Sequence, residues 1–359
     1  MFLLPIYLIV LLLSFYLLAK VCDDYFVESL DEIAAKLKLS SDAAGATLMA
    51  VGSSAPELFV AIISVVHPGG HEQIGMGTIV GSAVFNLIVI TGVVGLVGHF
   101  TVNKMIILRD LLFYLVGVVF LYYVFLDGNI SIVEAVLFPV LYIIYVVLVV
   151  RWKNIFPFKP EVKIISEKKE KPKTKKIITP LLATLQKIVQ PIDFIIDKMF
   201  IYKKSVLFVF LMSIFLIGLL SWVLVESAIQ ISKIMDVPEA FIALTVLAIG
   251  TSVPDMLSSV IVAKQKRGGM AVTNAIASNI FDVLIGMGIP FILMIIMYGK
   301  KISIKTDELI SSTGLLLLSI IGMLLLLMVN RWNIGKRMGV SLILFYVAFL
   351  VFEFLTMTR

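Results

Sequence analysis

The chain has 359 residues, of which 60% are hydrophobic and 15% charged, and its mean hydropathy is +1.07. A water-soluble domain of that balance would expose a large apolar surface, so the composition specifies a polytopic membrane protein. A single cysteine, Cys22, excludes an intramolecular disulfide framework, no Cys/His cluster signals zinc or iron–sulfur, and the net charge of +6 lies mostly in loops, where it calls for no nucleic acid.

Crossing a bilayer takes about 20 apolar residues, and the chain divides accordingly. The first span runs over about Phe2–Val21, without the basic start and small-residue cleavage site of a signal peptide. A charged-faced helix, Ser29–Leu37, follows. The second span, Ala43–Val66, is interrupted at Ser53–Pro56. The turn from His67 to His71 reads as a plain loop. It leads to spans over Ile74–Val97, Leu108–Leu126 and Ile132–Val150. Arg151 to Pro180 is polar and Lys-rich and reads as a solvated linker. From Leu181 to Met199 apolar residues recur at helical spacing, with Gln186, Lys187, Asp193 and Asp197 on other faces. That pattern predicts an amphipathic helix on the membrane surface. Five further spans follow, over Ser205–Ile231, Val237–Ala263, Met270–Met297, Glu308–Val329 and Gly339–Leu355.

These boundaries predict an all-α polytopic fold of ten transmembrane helices. They form a five-helix repeat over residues 1–150, a linker with its surface helix over 151–203, and a second five-helix repeat over 204–359. A cytoplasmic linker puts 25 of the 30 Lys and Arg on the cytoplasmic side and both termini outside, as the positive-inside rule requires. Lys300, Lys301 and Lys305 are exceptions. Because five is odd, the second half enters the membrane in the opposite sense to the first. Inverted repeats of this kind are common among secondary transporters.

A motif pair supports the repeat. Gly52-Ser53-Ser54-Ala55-Pro56-Glu57 matches Gly250-Thr251-Ser252-Val253-Pro254-Asp255 at an offset of 198. Gly81-Ser82-Ala83-Val84-Phe85-Asn86 matches Ala277-Ser278-Asn279-Ile280-Phe281-Asp282 at an offset of 196. A carboxylate inside a membrane segment is costly and points to function. A proline removes an N–H and crowds the carbonyl four residues back, so Pro56 and Pro254 should break helices 2 and 7 and free carbonyls near Ala50 and Ala248. The hydroxyls of Ser53, Ser54, Thr251, Ser252, Ser82 and Ser278 and the amide of Asn86 add oxygens beside Glu57, Asp255 and Asp282. An all-oxygen set without thiolate suits Ca²⁺ and alkali ions rather than zinc or copper. Three ionised carboxylates carry −3, which Ca²⁺ with one monovalent cation neutralises; with one carboxylate protonated, Ca²⁺ alone does.

These residues resemble the K⁺-dependent sodium/calcium exchangers of the cation/calcium exchanger superfamily. The resemblance runs through Val21-Cys22-Asp23-Asp24-Tyr25-Phe26-Val27, Ala44-Gly45-Ala46-Thr47, the run Gly52–Phe59 and the run Gly75–Asn86, and in the second half through Gly250–Asp255 and Ser278–Asp282. It departs at Ala277, where the family usually has Gly, and at Gly268-Gly269, which lacks the usual acid. The resemblance implies Na⁺-driven Ca²⁺ antiport, with Glu57 and Asp255 as central Ca²⁺ ligands, the hydroxyls as Na⁺ or Ca²⁺ ligands, Asn86 and Asp282 completing the centre, and Asp282 linked to K⁺ dependence. It implies no cofactor and no enzymatic activity. The expected partners are inorganic cations and the lipid of a cell membrane, and a monomer suffices for transport. The alternatives are a Ca²⁺/H⁺ antiporter of the same fold, a cation channel, and an intramembrane aspartyl protease using Asp255 and Asp282, for which no protease motif exists.

Overall fold

The computed structural model describes residues 3–36, 50–155, 193–200, 205–299, 301–303 and 307–357. The first residues of the expected second span (43–49), the Lys-rich linker, the surface helix before residue 193, and Lys300 and Lys305 lie outside the described residues.

Among the described residues, nine helices are long and apolar enough to cross a membrane: α1 (Leu4–Lys36), α3 (Glu72–Val97), α4 (Lys104–Asp127), α5 (Ile132–Trp152), α6 (Val206–Met235), α7 (Glu239–Lys264), α8 (Gly268–Tyr298), α9 (Leu309–Val329) and α10 (Lys336–Thr356). A shorter apolar helix, α2 (Ala55–Val66), lies between α1 and α3. The chain is an integral multi-pass membrane protein. Burial sorts the helices: 89% of the hydrophobic window of α3 is inside the protein, against 22% in α1 and α5. The outer helices turn leucine, isoleucine and phenylalanine outward, including Leu12, Ile143, Phe215 and Leu344, which suits a surface solvated by lipid tails.

Each helix finds partners in the other half. α1 packs along α6, and α4 along α9. α5 packs on the end of α8, and α10 on the end of α3. Two short antiparallel ribbons repeat this exchange in the loops. β1 (Phe100–Thr101), between α3 and α4, pairs with β4 (Asn333–Ile334), between α9 and α10. β2 (Asn129–Ser131), between α4 and α5, pairs with β3 (Lys301–Ser303), between α8 and α9.

Small residues allow the close approaches at the centre. A methyl at Gly81 would run into the Leu244 carbonyl and Ala248, and one at Gly77 would stand 2.9 Å from the Ala243 methyl. α3 therefore lies almost backbone to backbone against α7, the packing that membrane helices achieve with small side chains.

Three local features go beyond the sequence expectations. The first span and the charged helix after it form one element, because a π turn at Cys22–Phe26 joins them. The His67–His71 turn is held to the second half: His67 Nε2 lies 3.1 Å from Glu226 Oε2, and His71 Nδ1 lies 2.9 Å from Glu239. The described part of the surface helix, 193–199, docks on α1: Lys20 Nζ is 3.1 Å from Asp193 and 2.9 Å from Asp197, and Phe200 stacks on Tyr25 at 3.8 Å.

Candidate cation site

The two prolines act differently. In the first half, Ala50–Ser53 forms one turn, Ser54 leaves helical geometry at φ −98° and ψ 11°, and α2 begins at Ala55 with Pro56 in its first turn. A proline is tolerated there because the N–H it lacks has no acceptor within the helix. Helix 2 is thus discontinuous, as expected.

Helix 7 is not. The segment Ala248–Lys264 is helical straight through Pro254, which corrects the expected break. Proline costs one donor, and its fixed φ is already that of a helix. The segment is also held between α3 and α8. The irregularity of α7 sits earlier, in a π turn at Ala243–Leu247. Ala248 is buried, and its carbonyl accepts from the Thr251 hydroxyl at 3.4 Å.

The second motif pair also lies at π turns. Asn86 stands in the turn Phe85–Ile90 of α3, and Asp282 opens the turn Asp282–Gly286 of α8. Wide turns of this kind are frequent at functional sites.

These elements gather most of the sequence-assigned residues between the halves. Ser252 of α7 donates to Glu57 Oε1 of α2 at 3.3 Å, and Thr251 also faces that carboxylate. Ser53 and Ser278 bring their hydroxyl oxygens to 3.0 Å. Ser54 faces Asp282. Ser82 and Thr251 turn their hydroxyl protons back to their own helices, at Ile79 (3.1 Å) and Leu247 (3.1 Å). Their oxygens keep lone pairs. Asp255 is half-buried, and no hydrogen bond to its carboxylate is formed among the described residues. No three His, Cys, Asp or Glu side chains come close enough together to hold one metal ion among the described residues. In this conformation the three carboxylates do not converge on a single point.

Unpaired buried oxygens mark the centre. Glu57 Oε2, both oxygens of Asp282, the amide of Asn86 and the hydroxyl of Ser54 are buried and close no hydrogen bond among the described residues. A buried polar group left without a partner costs about 1–3 kcal/mol, and more when charged. Most of these atoms are hard oxygens, the donor set that Ca²⁺ and alkali ions take.

Sequence reasoning did not assign three groups nearby. Asn279 donates from Nδ2 to the Ala83 carbonyl at 2.8 Å and ties α8 to α3. Its place in the motif, between Ser278 and Asp282, was the available signal. Asp110 of α4 is fully buried and receives Arg109 Nε at 2.7 Å and the Tyr145 hydroxyl at 3.1 Å. An Arg-Asp pair at the head of a span was its signal. Tyr114, one turn further along α4, had none.

A profile of the sodium/calcium exchanger protein family matches residues 7–151 and 205–355. The chain belongs to that family. The human protein named sodium/potassium/calcium exchanger 4 is 27% identical over 95% of this chain and 80% of its own length. The human sodium/potassium/calcium exchanger 3 is 27% identical over 95% and 79%. A Drosophila melanogaster relative, described as a probable sodium/potassium/calcium exchanger, is 26% identical over 96% and 78%. Two solved structures share the fold. The H⁺/Ca²⁺ exchanger CAX superimposes with a TM-score of 0.70 at 16% identity, over 96% of this chain and 82% of that one. The sodium-calcium exchanger NCX_Mj, soaked with Na⁺ and no Ca²⁺, gives 0.56 at 23% identity, over 96% and 98%.

Proposed function

We propose that the protein is a secondary antiporter that exchanges Na⁺ for Ca²⁺, with K⁺ co-transported, by alternating access. The observation that carries this is the joint site: Glu57 from the first half bonds Ser252 from the second, beside buried and unpaired oxygens of Asp282, Asn86 and Ser54. Glu57 and Asp255 are the central Ca²⁺ ligands. Asp282 and Asn86 complete the charge and oxygen count, and Ser53, Ser54, Ser82, Thr251, Ser252 and Ser278 supply hydroxyls. Backbone carbonyls near Ala50 and Ala248 contribute where the helices rearrange. A site built half from each repeat opens to one side or the other as the halves move, which is what alternating access needs. The family membership and the names of the relatives support exchange over a channel or a protease. The transported ions are substrates, and no cofactor takes part.

Ten helices in two inverted repeats are part of this reading. Ala83 and Asn279 occupy matching motif positions, and they touch each other. Residues that match and touch lie on a pseudo-twofold axis. Exchanging the halves also carries the ribbon β1–β4 onto β3–β2. The loop after the third helix of one half pairs with the loop after the fourth helix of the other. Parallel repeats would put those loops on opposite sides of the membrane, and inverted repeats put them on the same side. A linker with no net crossing fits the same reading, in which residues 1–150 and 204–359 are the repeats; the Lys and Arg asymmetry favours residues 151–203 on the cytoplasmic side, with both termini outside.

The test is radiolabelled Ca²⁺ uptake into proteoliposomes. An outward Na⁺ gradient should drive uptake, and external K⁺ should accelerate it. Uptake driven by a pH gradient and indifferent to Na⁺ would replace this reading with Ca²⁺/H⁺ exchange.

A further inference from the structure

The motifs leave out the turn between α2 and α3, where two of the chain's three histidines stand. His67 ends α2 and His71 precedes α3. Both reach the second half. His67 Nε2 lies 3.1 Å from Glu226 Oε2 of α6, and His71 Nδ1 lies 2.9 Å from both Glu239 oxygens at the start of α7. Gln230 donates to the other Glu226 oxygen at 2.8 Å. The His67 ring stands 4.6 Å from the Trp222 ring of α6 and 5.3 Å from the His71 ring. From α8, the Tyr298 hydroxyl donates to the Val65 carbonyl at 3.4 Å, and Glu72 lies in the first turn of α3. Lys233 and Asp236 are exposed at the end of α6, about two to three turns beyond Glu226. No Lys or Arg bonds Glu226 or Glu239 among the described residues.

The donor count at His67 calls for a proton. Nε2 faces a carboxylate oxygen, and Nδ1 faces the Pro68 carbonyl at 3.2 Å. Both partners are acceptors. A neutral imidazole carries one N–H, so it leaves one of these contacts as two facing lone pairs. An imidazolium carries two and closes both. The neighbouring Trp222 ring adds attraction for a cation. His71 differs, because one N–H at Nδ1 serves both Glu239 oxygens and the neutral ring keeps that bond. The four side chains do not make a metal site, since no three His, Cys, Asp or Glu groups converge among the described residues. We propose that His67, Glu226 and the Pro68 carbonyl form a proton-binding latch that fastens the first half to the second on this face, with His71 and Glu239 as its anchor, so that acid slows exchange. The slowing rests on the antiporter reading, because the step that moves the halves must break the latch. Proton binding by His67 stands apart from that reading.

His67→Gln keeps an amide N–H for Glu226 and takes up no proton. His99→Gln is its control, because the third histidine stands beside Gly335 at the far end of α3. Na⁺-driven uptake of radiolabelled Ca²⁺ into proteoliposomes should be measured at pH 8 and at pH 6, with the same pH on both sides of the membrane. The ratio of variant rate to parent rate removes the pH dependence that the central carboxylates give to both. For His67→Gln this ratio should rise about twofold to fivefold from pH 8 to pH 6, the effect of one partly exposed ion pair. Glu226→Gln should show the same rise, and His99→Gln none. A ratio that does not change with pH in His67→Gln, or one that rises equally in His99→Gln, would overturn the latch. Thermal midpoints of the purified protein read the proton site without transport. An imidazolium bonded to a carboxylate adds stability that is present at acid pH and fades as rising pH removes the proton. The parent should therefore exceed His67→Gln by more at pH 6 than at pH 8, and a gap that is the same at both would refute the site. A parent with no Na⁺-driven uptake overturns the exchanger reading, and a wider gap at pH 6 would still uphold the proton site.

Discussion

Glu57 and Asp255 stand at matching positions of the two motif copies, yet their surroundings differ. Glu57 starts a helix after a break, is buried, and is met by Ser252 from the other half. Asp255 sits inside an unbroken helix, half-buried, with no carboxylate hydrogen bond among the described residues. The hydroxyl pairs follow the same division. Ser53 and Ser278 meet at 3.0 Å, whereas their counterparts Thr251 and Ser82 each bond back to their own helix. A symmetric sequence pattern is therefore held in an asymmetric state, closed on the Glu57 side and looser on the Asp255 side. The proposed alternating access needs such an asymmetry, because its two conformations would exchange the roles of the halves.

The largest expected effect comes from removing either central charge. On the proposed assignment Asp255→Asn and Glu57→Gln should each reduce Na⁺-driven Ca²⁺ uptake at least about a hundredfold, since each would leave the divalent ion without one of two nearby counter-charges in a low-dielectric site. The comparison separates them by stability. Glu57→Gln removes a fully buried charge and should raise the thermal midpoint in ion-free buffer by more than Asp255→Asn does, because the Asp255 carboxylate is only half-buried. Equal shifts would mean that the asymmetry does not persist in the membrane.

Packing comes next. Gly81→Val forces a branched side chain into the Leu244 carbonyl, and overpacking of this kind costs about 1–3 kcal/mol or more. The yield of folded protein in detergent should fall sharply. Gly322→Val should behave as the parent, because nothing lies within 4 Å of a Cβ there.

Asp282→Asn tests the charge count. With two carboxylates left, Ca²⁺ alone neutralises the centre, so uptake should persist and lose its acceleration by K⁺. Acceleration that survives the substitution would assign the monovalent ion to another group.

The smallest effect concerns single hydroxyls. Ser252→Ala removes a formed bond to a carboxylate and should raise the half-saturating Ca²⁺ concentration several-fold, for about 1 kcal/mol. Ser54→Ala removes an unpaired hydroxyl and should change it less. The reverse order would show that the opposite conformation dominates during transport.

Most of this fold was legible in the sequence because its signals are physical. Long apolar runs specify membrane spans, and an acid one residue after a proline in each half points to the buried centre. The break at Ser54 was legible for the same reason. The continuity of α7 was not, because whether a proline breaks a helix depends on what grips its flanks, and at Pro254 those are α3 and α8. Composition gives no sign of the π turns at Asn86 and Asp282, since one extra residue in a turn leaves the apolar pattern unchanged. The tie from Lys20 to Asp193 and Asp197 was hidden too, because an amphipathic stripe says which face is apolar and not where the polar face docks. Tyr114 carried no signal, since its surroundings depend on which helix α4 packs against.

The central claim is that one cation site is shared between the halves. Equilibrium binding of radiolabelled Ca²⁺ to the purified protein in Na⁺-free buffer tests it most directly. A shared site predicts saturable binding to the parent that competes with Na⁺ and is lost in both Glu57→Gln and Asp255→Asn. Undiminished Ca²⁺ binding in either variant would contradict it.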